Sequence, residues 1–355
     1  MPFIRKSIPR ALKALEPRGA SRVGAALPRR AVLSMLASTA LAPSLVRAAA
    51  LPVVRFVNIP LQDWLPFWVA QQNGFDKRYG IELKAVPIVG GTQTAEYAAA
   101  GDADIATVAG VLALLAVKRG LIPNKIILLC PLGSSADAQH PFQGVVANDK
   151  IKTWKDLEGK NVAVLSVHSL FYLSVTTRMK REHVDISKVN FIPIPLPEQV
   201  AALKAGRVDA ICVGTDFAAR AMHDKIGHLL GWTLGAPPFD HYSPGFLVAN
   251  TNFANSKPEV LENFLKAYIT AVKWIDDHPI EAKKVVAREL HITDPVVVKG
   301  FYLEKWDSTL APDPKSVALD NEMMKGRGID QPIDLDKYLT HMKLVDDARR
   351  AVLGK

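Results

Sequence analysis

Residues 95–106 read AEYAAAGDADIA, and residues 199–212 read QVAALKAGRVDAIC. Each is an alanine-rich stretch with helical spacing that ends in Ala-Gly. Two residues, an aspartate and a short apolar run suited to a buried strand follow. Gly101 and Gly206 stand just past the helix, where a left-handed backbone is favoured. A helix–turn–strand unit that occurs twice predicts two similar α/β halves.

The flanking sequence extends both units. Val53–Asn58 is β-branched and apolar, hence a strand. Leu65–Asn73 reads as a helix stopped at Gly74, Ile81–Ile88 as a strand broken at Gly90-Gly91, and Thr92–Ala100 as a helix. Strands at Ala103–Thr107 and Lys125–Cys130 enclose a helix at Val111–Arg119. The second half repeats the order: strands at Val162–Leu165, Val189–Ile194 and Val208–Val213 alternate with helices at Leu170–Lys180 and Glu198–Lys204. Such alternation gives a mostly parallel sheet covered by helices. GVVAN (144–148) and GFLVAN (245–250) form another similar pair and read as strands that carry the chain between halves, out near Gln139–Val145 and back near Tyr242–Phe246. Beyond them, Ser256 and Glu259 make a capping-box pattern around Pro258. Leu261, Leu265, Tyr268, Val272 and Ile275 then recur at helical spacing, and Glu281–Glu289 and Asp334–Val345 read as further helices.

Charge isolates the beginning of the chain. Of 44 Lys and Arg, nine lie within residues 1–50 beside a single acid, Glu16; the other 305 residues hold 35 basic and 34 acidic groups. The body thus has no positive excess with which to track phosphates, and nucleic acid is not an expected partner. Arg29-Arg30, the uncharged stretch 31–46 and Ala48-Ala49-Ala50 have the form of an export signal of the twin-arginine type, cut near Ala50. The apolar run, interrupted by Pro43, is short for a membrane span. The expected location is the periplasm. Cys130 and Cys212 sit in apolar runs and read as buried free thiols, with a disulfide left open; no Cys/His spacing suggests a zinc site.

FWVAQQNGFDKRYGIEL (67–83), GDADIATVAG (101–110), TWKDLEGKNVAV (153–164) and ALKAGRVDA (202–210) occur in an order and spacing that resemble the substrate-binding proteins of ABC importers of the nitrate/sulfonate/taurine type, among them those for aliphatic sulfonates and pyrimidine precursors. The resemblance covers roughly residues 53–275. It implies a type II periplasmic binding fold, with residues 51–138 plus 246–355 as one lobe, 139–245 as the other, and a ligand cleft between them. It also implies a small-molecule ligand, an ABC membrane permease as partner, a monomer, and neither cofactor nor metal. Members often carry a Gly-Ser-rich break after the strand that here ends at Leu165; this chain has Ser-Val-His-Ser.

Ligands of open α/β sheets sit at the carboxyl ends of strands, where helix starts offer free N–H groups. The turns that fall there contain Gln62, Asp63 and Trp64; Gly91 and Thr92; Thr107 and Ala109; Ser134; Ser166, His168 and Ser169; Thr215 and Asp216; and Tyr242. These are the candidate ligand-binding residues. The serines also read as plain helix caps. None of these turns holds Lys or Arg, so an anion would rely on helix starts and hydroxyls. The aspartates and nearby aromatics favour a small organic anion or zwitterion, sulfonate-like or a nitrogen-containing ring compound. The alternative is an enzyme of the same fold, resembling the pyrimidine-precursor synthase; the neighbouring cysteines of that enzyme's relatives are missing. No G-x-S-x-G elbow, Walker loop or G-x-G-x-x-G is present either. The chain is therefore read as a binding protein and not an enzyme.

Overall fold

In the computed structural model, which describes residues 50–59, 61–88 and 93–354, the two quoted stretches fold alike. Helix Thr94–Ala100 ends at Gly101 (φ +84°), and helix Leu196–Lys204 is followed by Gly206 (φ +68°). Each then leads through its aspartate into a strand. Asp104 accepts the backbone N–H of Arg55 at 2.8 Å, and Asp209 accepts that of Asn161 at 3.0 Å. Each aspartate therefore fixes the beginning of the neighbouring strand in register, which explains why the unit carries an acid at this point. Arg55 adds a guanidinium pair to Asp104 at 2.7 Å.

The described residues form thirteen strands: β1 Val53–Asn58, β2 Glu82–Pro87, β3 Ile105–Ala109, β4 Ile126–Pro131, β5 Ser134–Asp137, β6 Gln143–Ala147, β7 Asn161–Val164, β8 Asn190–Pro193, β9 Ala210–Gly214, β10 His228–Leu234, β11 His241–Tyr242, β12 Gly245–Asn250 and β13 Lys305–Trp306. One five-stranded sheet has the order β2-β1-β3-β12-β4, and the other β10-β6-β9-β7-β8. Reversed, the second order matches the first strand for strand. In each, three parallel strands are followed by the crossover strand, β12 or β6, running antiparallel. The GVVAN and GFLVAN segments thus occupy equivalent places: Asn148 and Asn250 donate their backbone N–H groups to the carbonyls of Asp209 and Asp104, both at 2.9 Å.

Strands β4, β6, β9 and β12 are buried on both faces, as strands covered by helices on each side are, whereas the edge strands β2 and β8 are partly exposed. Helix Pro258–Asp277 lays Leu261, Leu265, Tyr268, Val272 and Ile275 into the core, with Phe264 and Tyr268 against Phe67. Among the described residues, no helix is long and apolar enough to cross a membrane. Cys130 in β4 and Cys212 in β9 are fully buried free thiols.

Several expectations change. The Ser256/Glu259 capping box does not form: Asn250 caps a helix over Thr251–Ser256, Ser256 ends it, and Lys257 precedes the next. The expected helix over Asp334–Val345 is instead a 3-10 turn, Leu335–Tyr338, and a helix, Met342–Leu353, because Asp334 closes a tight turn on Asp336. The antiparallel β10 and the small sheet β11-β5-β13 were not anticipated. After residue 290 the chain touches both halves: helix Pro295–Gly300 packs on helix Thr215–His223, and helix Pro314–Met324 packs on helices Gly110–Lys118 and Leu170–Arg181. The expected export segment, 1–50, lies outside the described residues but for Ala50.

Candidate functional site

Between the two sheets lies a narrow cleft of about 60 Å³, lined from the first half by Asp63, Trp64, Thr107, Ala109 and Leu112, among others, and from the second by Phe142, Leu165, Ser169, Leu170 and Phe171. Most of its walls are apolar, and among the described residues no Lys, Arg or His lines it.

Two helices start at this cleft. Helix Gly110–Lys118 begins at Ala109 with no side-chain cap, so its first-turn N–H groups carry the helix's partial positive charge into the space. Helix Leu170–Arg181 begins at Ser169, whose Oγ accepts from Tyr172 N at 3.3 Å and donates to the Ser166 carbonyl at 2.6 Å. Ser169 therefore caps its helix and lines the cleft at once. Its polar neighbours divide. The Ser166 hydroxyl accepts from His168 N at 3.1 Å, and the exposed His168 faces an outer groove beside Lys118, Arg119 and Arg327 rather than the cleft. The apolar strand breaks at Ser-Val-His-Ser because an ordinary N-cap turn is built there; only Ser169 also borders the enclosed space.

The other candidates form a polar seam beside the cleft. Gln62 Nε2 donates to Thr215 Oγ1 at 3.0 Å and to the Tyr302 carbonyl at 3.1 Å, and Thr215 Oγ1 donates to that carbonyl at 2.6 Å. This ties the first half, the second half and the C-terminal segment together. Asp216 follows in the first turn of its helix, fully buried; burial pushes its carboxyl up to about 6, against the backbone N–H groups of Asp216 and Phe217 and the Gln62 amide. Asp63 borders the cleft and faces Glu304. Burial lifts Asp63 to about 7, and burial with the charges of Asp63 and Asp216 raises Glu304 well above the carboxylate range. Ser134 stands beside Glu304, although its hydroxyl is not in hydrogen-bonding geometry. Trp64 donates its indole N–H to the Val57 carbonyl, which leaves only its ring for a ligand. Tyr242 lies off the cleft, fully buried, with its hydroxyl donated to Asp320 Oδ1 at 2.5 Å; burial and that carboxylate raise its pKa. Gly91 and Thr92 lie outside the described residues.

Phe171 is one of the aromatics that the sequence places beside these turns; Phe142 and Leu165 as walls, and Glu304 as the partner of Asp63, were missed. The short FYLEKW stretch (301–306) carried the only available hint, an acid between aromatic residues.

The sequence profile of the NMT1-like family matches residues 48–290. A Bacillus subtilis (strain 168) protein, provisionally named an aliphatic sulfonates-binding protein, is 27% identical over 259 residues, which span 68% of this chain and 74% of that one. Other curated relatives are matched over 34% to 64% of their own length. Among solved structures, the alkanesulfonate-binding protein SsuA of Xanthomonas axonopodis pv. citri bound to MOPS superposes with a TM-score of 0.64 at 15% identity, covering 84% of this chain and 99% of SsuA. The desulfurization enzyme DszB superposes with a TM-score of 0.63 at 16% identity, with the same two coverages. At these identities, both similarities speak for the fold alone.

Proposed function

Because the chain belongs to the NMT1-like family, we propose that it is the extracytoplasmic solute-binding protein of an ABC importer, taking a small organic anion or zwitterion into the cleft and presenting it to the membrane permease. The observation that carries this reading is a cleft walled by both of two equivalent halves, with an uncapped helix start at Ala109 and a hydroxyl-capped one at Ser169. An anionic group would lie against those helix starts, and the body of the ligand against Trp64, Phe142 and Phe171. Ligand contact would close residues 139–245 against 51–138 and 246–355, through the connections near 139–145 and 242–246. The first fifty residues would direct twin-arginine export, with cleavage near Ala50, and the mature protein would act as a monomer.

The enzyme alternative gains little support at the site. Both thiols are buried, and burial raises them far from the thiolate form. The Ser169 hydroxyl is committed to the Ser166 carbonyl, with no side-chain base on it.

A thermal-shift screen of the purified protein against alkanesulfonates, taurine, nitrate, pyrimidines and aromatic acids tests the reading. A ligand at 100 times its Kd adds about 2.7 kcal/mol of stability. At least one class should raise Tm and make the scattering profile more compact. Chemical conversion of a compound, or no shift with any class, would overturn it.

A further inference from the structure

At one end of the cleft, acids collect without a cation. Glu304 immediately precedes β13, and it and Trp306 are buried while Lys305 between them is exposed. Ser134 in β5 is the cross-strand partner of Trp306. Glu304, Ser134 and Trp306 are 3%, 2% and 3% exposed, so bulk solvent does not reach them. Both Glu304 carboxylate oxygens, Ser134 Oγ, Trp306 Nε1 and Asp63 Oδ1 nevertheless lack a hydrogen-bond partner. Of this group Asp63 lines the cleft, and Glu304 stands behind it.

Asp63 and Glu304 lie within reach of each other and can share one proton, but no opposite charge offsets the pair, and buried carboxyls without one are costly. No Lys, Arg or His among the described residues is a leading influence on Asp63, Glu304 or Asp216. Among the described residues, no three His, Cys, Asp or Glu side chains are grouped so as to hold a metal ion. An ammonium, in contrast, brings three N–H donors and one positive charge, and an aromatic ring such as that of Trp64 welcomes it. We propose that Asp63 and Glu304 are the subsite for a protonated nitrogen of the bound solute, so that the ligand is an amine-bearing zwitterion and not a simple anion. This rests on the reading of the cleft as the solute site.

The empty site keeps a proton on the carboxyl pair, and the arriving ammonium displaces it to solvent. The titratable groups around the pair are Asp216, Tyr242 and Tyr268, and burial raises both tyrosines, which stay neutral. Affinity for an amine should therefore rise with pH between 6 and 8.

Calorimetry with matched pairs tests the subsite: taurine and ethanesulfonate, 4-(aminomethyl)benzenesulfonate and toluene-4-sulfonate, 6-aminohexanoate and hexanoate. In at least one pair the amine should bind about tenfold tighter or more at pH 8, with proton release seen as a buffer-dependent enthalpy. The advantage and the proton release should both vanish in Asp63→Asn/Glu304→Gln, or in Asp63→Asn alone if the double variant fails to fold. Equal affinity within every pair that binds, or an advantage that survives these substitutions, overturns the subsite and leaves the solute reading intact. Binding of no probe at all overturns both.

Discussion

Replacing Asp216 by Asn should move the stability of the ligand-free protein in the variant's favour as pH rises. Asp216 is 2% exposed, and one of its carboxylate oxygens has no partner. Burial lifts its pKa from 3.8 to about 6. The folded state therefore binds the proton more tightly than the unfolded chain does. That contribution is fully present below pH 3.8 and is lost as pH climbs through 6. At about 1.4 kcal/mol per pH unit, the ionised group costs roughly 3 kcal/mol at pH 8 and roughly 1.5 kcal/mol at pH 5. Asn keeps the shape and the acceptor that faces the helix N–H groups, but its amide brings a donor that also needs a partner. That offsets about 1–3 kcal/mol at every pH. The difference between pH values is free of this offset. Urea melts of Asp216→Asn and the parent protein at pH 5 and pH 8 should give a stability difference that moves in the variant's favour by about 1.5 kcal/mol. A difference that is flat or moves the other way would mean that water reaches Asp216, and that the polar seam is not dry.

Gly110→Ala should destabilise by at least about 1–3 kcal/mol, because its Cβ would lie 1.8 Å from Asp320 Oδ2; an unchanged Tm would refute this packing. Asp209→Ala removes acceptors from Asn161 N at 3.0 Å and Asn148 Nδ2 at 3.1 Å and should cost about 2 kcal/mol in urea melts, with Asp104→Ala at least as damaging because it also strips the Arg55 pair. Ser169→Ala should lose about 1 kcal/mol of stability as a cap and, once a ligand is known, a further 0.5–1.5 kcal/mol or so of binding by calorimetry. Stability lost without affinity would reduce Ser169 to a cap. Arg29→Lys/Arg30→Lys should block export, and undiminished periplasmic accumulation would remove the twin-arginine assignment.

Local rules were enough for what lies close together in the chain. The paired Ala-Gly-x-x-Asp units, Gly101 and Gly206 as helix ends, the strands at Val53–Asn58 and Gly245–Asn250, and the helix starting after Ser169 all follow from periodicity, capping preference and the left-handed glycine. The repeat carried the two halves with it, since equal units make equal sheets. The cleft walls at Trp64, Thr107, Ala109 and Ser169 could be placed because the topology of such sheets puts strand ends and helix starts together.

Tertiary structure decided what depends on distant partners. His168 and Ser169 are neighbours in sequence, yet a half-turn of backbone sends one to an outer groove and the other to the cleft. Tyr242 looked like a ligand contact until Asp320, 78 residues away, took its hydroxyl. Gln62 joins Thr215 and Tyr302 across separations of 153 and 240 residues. Glu304 meets Asp63 only because a two-residue strand, Lys305–Trp306, pairs with Ser134 and Ser135. No local pattern encodes such meetings: burial and partner identity belong to the packed chain, and they turn an unremarkable acid in FYLEKW into a buried carboxyl that shares a proton with Asp63.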